Sequence, residues 1–306
     1  MKKVLVATVK PFAKAAIEGI GEILDNAGYE LVLLEKYAGQ QDLIKAVDGM
    51  DALIVRSDII DKDVIAAGKE LKIIVRAGAG YDNIDLDAAT AKDIVVMNTP
   101  GQNSNAVAEL ALGMMVYQAR NQFNGKPGTE LLGKKLGIHA FGNVGRHVAR
   151  IAKGFGMIVT AFDPFIPDEE IKNEGVEVVT TAEDLYSNCH YISLHIPSNE
   201  KTRKSINSDL LKLMPKGATL VNTARKEVID EDSLMKIFAE REDFSYVSDI
   251  APDNAEELME KFGARCFFTP KKMGAQTAEA NINAGLAAAN QIIDFIEKGD
   301  TTFKVN

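Results

Sequence analysis

The sequence predicts an α/β protein with two doubly wound parallel sheets. From residue 3 to residue 97, short apolar runs alternate with longer amphipathic runs, as consecutive strands and helices do. The same alternation starts again at Lys135, after the glycine- and proline-containing loop 124–128. With 306 residues, of which 46% are hydrophobic, the chain is long for a single core, so we expect two domains.

The first domain is predicted from apolar runs separated by helical patterns. We predict strands at 3–8, 30–34, 52–55, 73–75 and 94–97. We predict helices at 12–26, 40–47, 61–67 and 85–91, where apolar residues recur every three or four positions. Because a helix joins each strand to the next, the strands should be parallel and the helices should cover both faces of the sheet.

The second domain repeats this organisation. We predict strands at 136–139, 158–162, 176–179, 191–194, 219–222, 246–249 and 266–269. Two long helical segments, 104–123 and roughly 275–298, bracket these strands, and each can carry the chain from one domain to the other. We therefore expect residues 1–98 with 283–306 to form one domain and residues 99–282 the other, with a cleft between them.

Charge and cysteine content argue against several classes of function. The formal net charge is -9 and the pI is near 5.1, which argues against a nucleic-acid-binding surface. Cys189 and Cys266 are far apart in sequence, so we expect neither a disulfide framework nor a bound metal. The apolar run after Met1 is too short for a signal peptide, and no stretch reaches the length of a membrane span. We expect a cytoplasmic protein without membrane contacts.

A small-residue turn near the middle of the sequence carries the clearest functional signal. A strand, a turn and a helix start follow one another there, in the run Leu136-Gly137-Ile138-His139-Ala140-Phe141-Gly142-Asn143-Val144-Gly145. This run matches a dinucleotide-binding motif whose first glycine is replaced by Ala140. We expect Ala140 to keep ordinary backbone torsions, while the amides from Gly142 to Gly145 approach a pyrophosphate.

Asp163 completes this motif at the end of the next predicted strand. It lies 18 residues after Gly145, where a carboxylate can bind a ribose 2′-hydroxyl. A carboxylate repels the 2′-phosphate of NADP, and no arginine follows nearby. The motif therefore predicts NAD as the cofactor.

Five further motifs follow predicted strands, at the edge where open α/β sheets bind their ligands. They read Arg76-Ala77-Gly78-Ala79-Gly80-Tyr81-Asp82, Asn98-Thr99-Pro100-Gly101, His195-Ile196-Pro197, Asn222-Thr223-Ala224-Arg225 and Thr269-Pro270-Lys271-Lys272-Met273-Gly274. With these motifs the whole chain resembles the D-isomer-specific 2-hydroxyacid dehydrogenases. The resemblance implies a flavodoxin-like substrate domain, residues 1–98 with 283–306, and a Rossmann NAD-binding domain, residues 99–282.

The resemblance also implies roles for individual residues. Arg225 would bind the substrate carboxylate and polarise the keto oxygen, since a guanidinium donates two parallel bonds and keeps its charge. Asp249 would contact the nicotinamide amide, although a strand-end cap is an alternative role. His195 fits a structural or cofactor contact better than a base. The implied cofactor contacts are Ala79, Gly142, Asn143, Val144, Gly145, Asp163, His195, Ile196, Pro197, Thr223, Ala224, Asp249 and Gly274.

The implied substrate site lies at the strand ends of the first domain. The candidate cations and polar groups for a phosphate and a carboxylate are Lys10, Arg56, Ser57 and Arg76. We expect the backbone amides of Ala77, Gly78 and Ala79 to bind the substrate carboxylate. Asn98 is expected to line the same cleft.

The sequence departs from the family pattern at the general acid and base. Most members pair a glutamate with a histidine, but here Asn254 occupies the glutamate position and no histidine lies near the residue pair Thr269-Pro270. Lys272 stands at the histidine position when we count back from Gly274, and Lys271 stands there when we count forward from the proline. A subset of the family carries lysine at this position, and the sequence is similar to that subset.

We hypothesise that Lys272 is the proton donor and acceptor. A lysine needs a lowered pKa to act near neutrality, and both the loss of the glutamate and the nearness of Arg225 favour such a lowering. Asn254 does not substitute for the glutamate. The alternative is a solvated lysine pair in a chain that has lost catalysis.

The predicted activity is the NAD-dependent oxidation of D-3-phosphoglycerate in serine biosynthesis, because the first domain most resembles family members with that substrate. The alternatives are a glyoxylate or hydroxypyruvate reductase of the same family and a non-catalytic NAD-sensing module. The resemblance and the apolar stretch 111–116 suggest a homodimer formed through the NAD-binding domains. The chain ends soon after the second long helix, so we do not expect feedback by serine through a C-terminal regulatory domain.

Overall fold

A computed structural model describes residues 1–306, which divide into two units. Unit 1 comprises residues 1–103 and 277–306, and unit 2 comprises residues 104–276. Unit 1 contains a five-stranded sheet and unit 2 a seven-stranded sheet. Every strand pair in both sheets is parallel. The predicted α/β class with two parallel sheets is confirmed.

The sheet of unit 1 has a flavodoxin-like strand order. Its strands are β1 (Lys3–Thr8), β2 (Glu30–Glu35), β3 (Ala52–Val55), β4 (Ile73–Arg76) and β5 (Val95–Asn98), in the spatial order β2-β1-β3-β4-β5. The connecting helices are α1 (Lys14–Asn26), α2 (Gln40–Ala46), α3 (Lys62–Ala67) and α4 (Leu86–Thr90). Because helices cover both faces, β3 is buried along its whole length.

Side-chain caps set where several helices of unit 1 begin. Asp61 accepts hydrogen bonds from the first amides of α3, and Asp85 does the same for α4. Thr277 accepts a bond from the amide of Ala280, so the C-terminal helix (Ala278–Lys298) begins later than the predicted residue 275. This helix packs its alanine-rich face on α1 within the core of unit 1.

The sheet of unit 2 has the strand order of a dinucleotide-binding fold. Its strands are β6 (Lys135–His139), β7 (Ile158–Phe162), β8 (Glu177–Val178), β9 (Tyr191–Leu194), β10 (Thr219–Asn222), β11 (Ser245–Ser248) and β12 (Cys266–Phe268). They lie in the order β12-β11-β10-β9-β6-β7-β8. After the edge strand β8 the chain therefore crosses back to β9, on the other side of β6, and the strand order changes direction between β6 and β9. The helices are α5 (Ser104–Ala119), α6 (Asn143–Gly154), α7 (Asp168–Asn173), α8 (Ala182–Asn188), α9 (Ser208–Leu213), α10 (Glu231–Glu240) and α11 (Ala255–Phe262).

Helix α5 ends earlier than the predicted residue 123. Its last residue is Ala119, and Asn121, Gln122 and Phe123 follow with φ values of 51°, 54° and 56°. These left-handed torsions cannot continue a right-handed helix. The side-chain amide of Gln122 holds this turn by donating to the carbonyl oxygen of Cys266 at 2.9 Å.

The apolar stretch 111–116 lies inside unit 2. Ala111, Leu112, Met114 and Met115 are buried in the core that α5 forms with α6 and the sheet. This burial removes the stretch as an argument for a dimer face. None of the helices combines the length and the apolar character needed to cross a lipid bilayer.

Gly137 in β6 should tolerate a side chain poorly, because its α-carbon faces buried side chains of unit 2. A Cβ there would lie 2.6 Å from Cδ1 of Ile192 and 2.9 Å from Cγ of Leu185, both fully buried. We expect Gly137→Ala to lower the free energy of unfolding by about 1–3 kcal/mol through overpacking. Chemical denaturation measures this change.

Gly154→Ala is the matched control in the same unit. A Cβ at Gly154 would meet no atom within 4 Å, and Gly154 is the last residue of α6. We expect it to leave the unfolding free energy unchanged or to raise it by up to about 1 kcal/mol. Equal losses in the two variants would contradict the packing described for β6.

Candidate functional site

The loops that follow the strands of unit 2 share one edge of its sheet, because all its strands are parallel. After β6 the chain continues to β7 on one side of the sheet, whereas β9 lies on the other side. Loops that diverge from two neighbouring strands leave a crevice, and open α/β sheets bind ligands there. The predicted cofactor residues lie in these loops.

The turn after β6 carries unbonded backbone amides. Gly142 is the N-cap of α6, and the N–H groups from Gly142 to Gly145 have no acceptor within the chain. A helix of 12 residues has a partial positive charge at this end, and no acidic residue occupies its first turn. A Cβ at Gly145 would lie 2.5 Å from the carbonyl oxygen of Ala140, so glycine is required there. This turn fits the pyrophosphate of a dinucleotide.

Ala140 does not keep the ordinary torsions that we expected. Its φ is 78°, in the left-handed region that glycine adopts without strain. The chain leaves β6 here and must turn sharply into α6, while the Ala140 amide still donates to the carbonyl of Phe162 at 2.9 Å. The alanine is therefore a strained substitute for the first glycine of the motif.

Asp163 faces this turn from the end of β7. Its Oδ2 accepts the amide of Phe141 at 2.8 Å, and its Oδ1 accepts the amide of Phe165 at 2.9 Å. A carboxylate has about four lone-pair positions, so two remain for ribose hydroxyls. The negative charge would repel a 2′-phosphate.

Two histidines lie at strand ends next to this turn, His139 at the end of β6 with a buried side chain and His195 after β9 with a half-buried one. Nδ1 of His139 is 3.2 Å from the Tyr186 hydroxyl, and Nε2 of His195 is 2.9 Å from the Ser193 hydroxyl. Burial lowers the pKa of His139 to about 4, although the Asp163 charge opposes this effect. Burial lowers the pKa of His195 to about 3, and the charge of His139 adds to that effect. Neutral imidazoles with such pKa values support the fold and do not suit proton transfer near neutrality.

The thiols and carboxylates of the chain offer no metal site. No group of three or more His, Cys, Asp and Glu side chains is placed to hold a metal ion. Burial raises the pKa of Cys189 to about 11 and that of Cys266 to about 12. Both thiols are therefore protonated and unreactive.

Arg225 is presented by a turn after β10. The buried side chain of Asn222 accepts the amide of Ala224 at 2.9 Å and donates to the carbonyl of Arg225 at 3.0 Å. The guanidinium donates one bond to the carbonyl of Ala224 and pairs with no carboxylate of the chain. The side chain is half-buried. This cation can therefore receive an anionic ligand.

Asp249 organises the turn that carries the two lysines. Its carboxylate is fully buried and accepts the amides of Met273 and Gly274, both at 2.7 Å, and the Thr269 hydroxyl at 3.0 Å. The Thr269 hydroxyl also bonds the carbonyl of Lys271 at 2.8 Å. These bonds fix the carbonyl of Lys271 and the amides that follow Lys272, and the side chains of both lysines are exposed. The capping role that we left open for Asp249 is thus present, and its nicotinamide contact stays a prediction.

Glu231, at the start of α10, is a supporting residue that the sequence analysis missed. Its carboxylate accepts the amides of Asp253, at 2.9 and 3.1 Å, and of Asn254, at 3.3 Å. Asp253 also pairs with Lys226, directly after Arg225. The side-chain oxygen of Asn254 is buried without a hydrogen-bond partner. An acidic residue in a first helical turn is too common to identify this link from sequence.

In unit 1, Arg56 is engaged within the chain. Its Nη1 donates to the carbonyl oxygens of Lys10 at 3.1 Å and Pro11 at 3.2 Å, and its Nη2 donates to Asn281. The arginine thereby ties the loop after β1 to the C-terminal helix, which we label α12. The side chains of Lys10 and Ser57, by contrast, are exposed.

Two of the three amides predicted to bind the substrate carboxylate are already bonded. The Ala77 amide donates to Val55 and the Gly78 amide to Arg76, both at 2.8 Å, because the chain is still leaving the sheet at these residues. This corrects the prediction for Ala77 and Gly78, whereas the Ala79 amide has no acceptor in the chain.

Asn98 and Arg76 support the same loop. The Asn98 side chain donates to the carbonyl of Ala79 at 2.6 Å, and the guanidinium of Arg76 donates to the carbonyl of Ala77 at 3.3 Å. A Cβ on Gly78 would lie 1.3 Å from that guanidinium, so the loop needs glycine there. Both side chains therefore have structural partners in unit 1.

Comparison with known proteins identifies relatives of this chain. Residues 104–270 match the family model described as "D-isomer specific 2-hydroxyacid dehydrogenase, NAD binding domain". The chain is 37% identical to a hydroxypyruvate reductase of Thermotoga maritima over 283 residues, which are 86% of this chain and 90% of that protein. It is 36% identical to a D-3-phosphoglycerate dehydrogenase of Methanocaldococcus jannaschii over 267 residues, 83% of this chain and 51% of that protein, and so spans about half the length of that relative. The NAD+-bound crystal structure of a 3-phosphoglycerate dehydrogenase of Entamoeba histolytica is 49% identical, with a TM-score of 0.88 over 100% of this chain and 98% of that one.

The buried imidazole of His139 should make stability depend on pH. Below about pH 6.5 the unfolded chain binds a proton on this side chain, whereas the folded chain stays neutral down to its pKa of about 4. The free energy of unfolding should therefore fall with decreasing pH in this window, by up to about 1.4 kcal/mol per pH unit. Urea unfolding at several pH values should show that the free energy of unfolding of His139→Gln depends less steeply on pH than that of the parent protein. Equal slopes for the two proteins would contradict this assignment.

Ala140→Gly should remove strain from the turn after β6. We expect it to raise the free energy of unfolding by about 1 kcal/mol, because glycine takes a φ near 78° without Cβ strain. Thermal unfolding measures the change. Gly142→Ala is the control, since its φ is -74° and a Cβ would meet open space. A loss of stability in Ala140→Gly would contradict the strained conformation.

Proposed function

Because the chain belongs to the D-isomer-specific 2-hydroxyacid dehydrogenase family and uses NAD, we propose that it oxidises D-3-phosphoglycerate to 3-phosphohydroxypyruvate, the first step of serine biosynthesis. The single observation that carries the proposal is the guanidinium of Arg225, which forms no ion pair with a carboxylate of the chain. It is held on an ordered turn at the edge of unit 2 where ligands are expected to bind. The choice of substrate is supported by the 49% identity to the Entamoeba histolytica 3-phosphoglycerate dehydrogenase over the whole chain.

Arg225 binds the carboxylate of the substrate and polarises its C2 oxygen. Its planar, permanently charged donor fork suits both tasks. The side chain of Asn222 fixes the backbone on both sides of Ala224, so little ordering is needed when the substrate binds. Replacing the guanidinium would therefore affect both binding and turnover.

A lysine of the 269–274 turn takes the proton from the substrate hydroxyl. NAD, when bound, would accept the hydride from C2, the carbon that carries this hydroxyl, and the product would be the keto acid. Lys272 is the proposed base, and Lys271 is the alternative position. Most family members have a glutamate at the position of Asn254, whose side chain carries no ionisable group. The lysine therefore acts without a carboxylate partner at that position.

Unit 1 supplies the proposed substrate contacts of this reaction. The Ala79 amide offers a donor to the substrate carboxylate, and the exposed Lys10 and Ser57 side chains suit a phosphate. Arg56 and Asn98 are better described as supports of these loops, because their polar groups already bond within unit 1. We further propose a cytoplasmic homodimer, which rests on the family resemblance.

Hydroxypyruvate reduction is the second candidate activity. The observation that favours it is the 37% identity to the Thermotoga maritima hydroxypyruvate reductase, which this chain matches over 90% of its length. Phosphate recognition separates the two activities. The phosphorylated substrate should be strongly preferred if the proposal is correct, and glycerate or hydroxypyruvate otherwise.

The purified protein should reduce NAD in the presence of D-3-phosphoglycerate, with a rate that rises with alkaline pH as the lysine loses its proton. Lys272→Met should lower kcat by about 100-fold to 10,000-fold, the range typical of a lost general base. The absorbance of NADH at the nicotinamide band measures both effects. Absence of turnover with every 2-hydroxyacid would overturn the enzymatic proposal and favour an NAD-sensing module.

Lys271→Met is the matched control, since the two lysines are adjacent and both exposed. We expect it to keep most of the activity. Loss of activity in Lys271→Met with retention in Lys272→Met would move the base by one residue. Full activity in both variants would exclude a lysine base.

A further inference from the structure

Asp58 is a buried carboxylate that the proposed reaction does not use. It lies after β3, directly behind Arg56 and Ser57, and only 7% of its surface is accessible. Its Oδ1 accepts the amide of Val9 and the hydroxyl of Tyr37, both at 2.7 Å, whereas its Oδ2 is buried without a hydrogen-bond partner. Burying a carboxylate is costly, so a group with one unsatisfied oxygen needs an explanation.

Asp58 connects the loops that follow the first four strands of unit 1. Val9 follows β1, Tyr37 follows β2 and Asp58 itself follows β3. The backbone carbonyl of Asp58 accepts the side-chain amide of Asn83, in the loop after β4, at 2.7 Å. Burial and the bond to Asp58 raise the pKa of Tyr37, so its hydroxyl keeps the proton that it donates. Because the strands are parallel, the four loops share one edge of the sheet, and one residue fixes them relative to each other.

The bonds around Asp58 hold the backbone of Lys10 on both sides. The amide of Val9, the preceding residue, donates to Asp58. The carbonyl of Lys10 accepts the hydroxyl of Thr8 at 2.6 Å and Nη1 of Arg56 at 3.1 Å. The side chain of Lys10 is exposed. The ammonium group is therefore carried on a stretch of backbone that cannot shift without breaking these bonds.

Ser57 is presented by the same contact. It directly precedes Asp58, and Lys10 directly follows Val9, so the bond between Val9 and Asp58 joins the neighbours of both side chains. An ammonium and a hydroxyl are both donors for a phosphate, and the charged donor makes the stronger bond. Donors that are held in place before the ligand arrives lower the entropic cost of binding.

We propose that Asp58 is a positioning residue that places Lys10 beside Ser57 for the phosphate of the substrate. This inference rests on the proposed function. Asp58 acts through the amide of Val9 and does not contact the substrate, because its carboxylate is buried and would repel a phosphate. The preference for a phosphorylated over an unphosphorylated 2-hydroxyacid should therefore depend on Asp58.

Steady-state kinetics with D-3-phosphoglycerate test this role. Asp58→Ala should raise KM for this substrate by on the order of tenfold, the effect of weakening a bond to a charged group, while kcat and KM for NAD stay near the parent values. The affinity for D-glycerate, measured as substrate or as inhibitor, should not change, because it has no phosphate. Asp58→Asn should restore a KM near that of the parent protein, since its side-chain oxygen still accepts both donors.

Lys10→Ala shows whether Asp58 acts through the lysine. This substitution should raise KM for D-3-phosphoglycerate, and the rise in the double variant with Asp58→Ala should be smaller than the product of the two single rises. A rise equal to that product would contradict the coupling. Hydrogen exchange of residues 9–12, measured by mass spectrometry, should be faster in Asp58→Ala than in the parent protein.

Asp61→Ala is the matched control, three residues further along the chain. Asp61 caps α3 by accepting the amides of Asp63 and Val64 and forms no bond to the loop after β1. Its loss should lower thermal stability without changing KM or the exchange of residues 9–12. Equal rises of KM in Asp58→Ala and Asp61→Ala, or an unchanged KM in Asp58→Ala, would overturn the positioning role. Absence of turnover with D-3-phosphoglycerate in the parent protein would instead overturn the proposed function, and the phosphate role of Asp58 with it.

Discussion

The parallel pairing of the strands is the constraint on which the arrangement of both units depends. In a parallel sheet, each chain segment leaves its strand at the same edge, so residues distant in sequence become neighbours there. In unit 2 this edge receives the glycine turn after β6, Asp163 after β7, Arg225 after β10 and the lysine turn after β12. The change of strand order between β6 and β9 opens the crevice in which a dinucleotide fits.

Buried polar side chains keep these loops in shape. Asn222 bonds the amide of Ala224 and the carbonyl of Arg225, and Asp249 accepts the amides of Met273 and Gly274, the two residues that follow the lysines. Asn98 does the same for the loop at Ala79 in unit 1. Each is almost completely buried, and a buried polar group is costly unless it is paired. The proposed ligand-binding residues of these loops are thus held in place by buried side chains that hydrogen-bond to the loop backbone.

An acidic protein that binds anions needs local donors. The net charge of the chain is -9, yet the turn after β6 presents backbone amides, whose donors do not depend on the net charge. Arg225 adds a cation that has no carboxylate partner. Asp163 has the opposite charge, and in the proposed site it would accept hydroxyl donors and repel an additional phosphate. The candidate binding groups of unit 2 are thus local donors and charges at one edge of the sheet, and they do not depend on the net charge of the protein.

The sequence by itself determined the elements and their order. The strands 3–8, 52–55, 158–162, 191–194 and 219–222 were predicted with the bounds that the structure has, since buried strands are continuous apolar runs that end at polar or glycine residues. The glycine turn and Asp163 could also be predicted from the sequence, because the motif that contains them is local. Tertiary structure decided the properties that depend on distant partners. The left-handed torsion of Ala140 follows from the path between β6 and α6, and the engagement of Arg56 follows from its contacts with the loop after β1 and with α12. The bonds that occupy the Ala77 amide and the Asp249 carboxylate likewise join segments whose proximity only the folded sheet creates, so no local pattern could predict them.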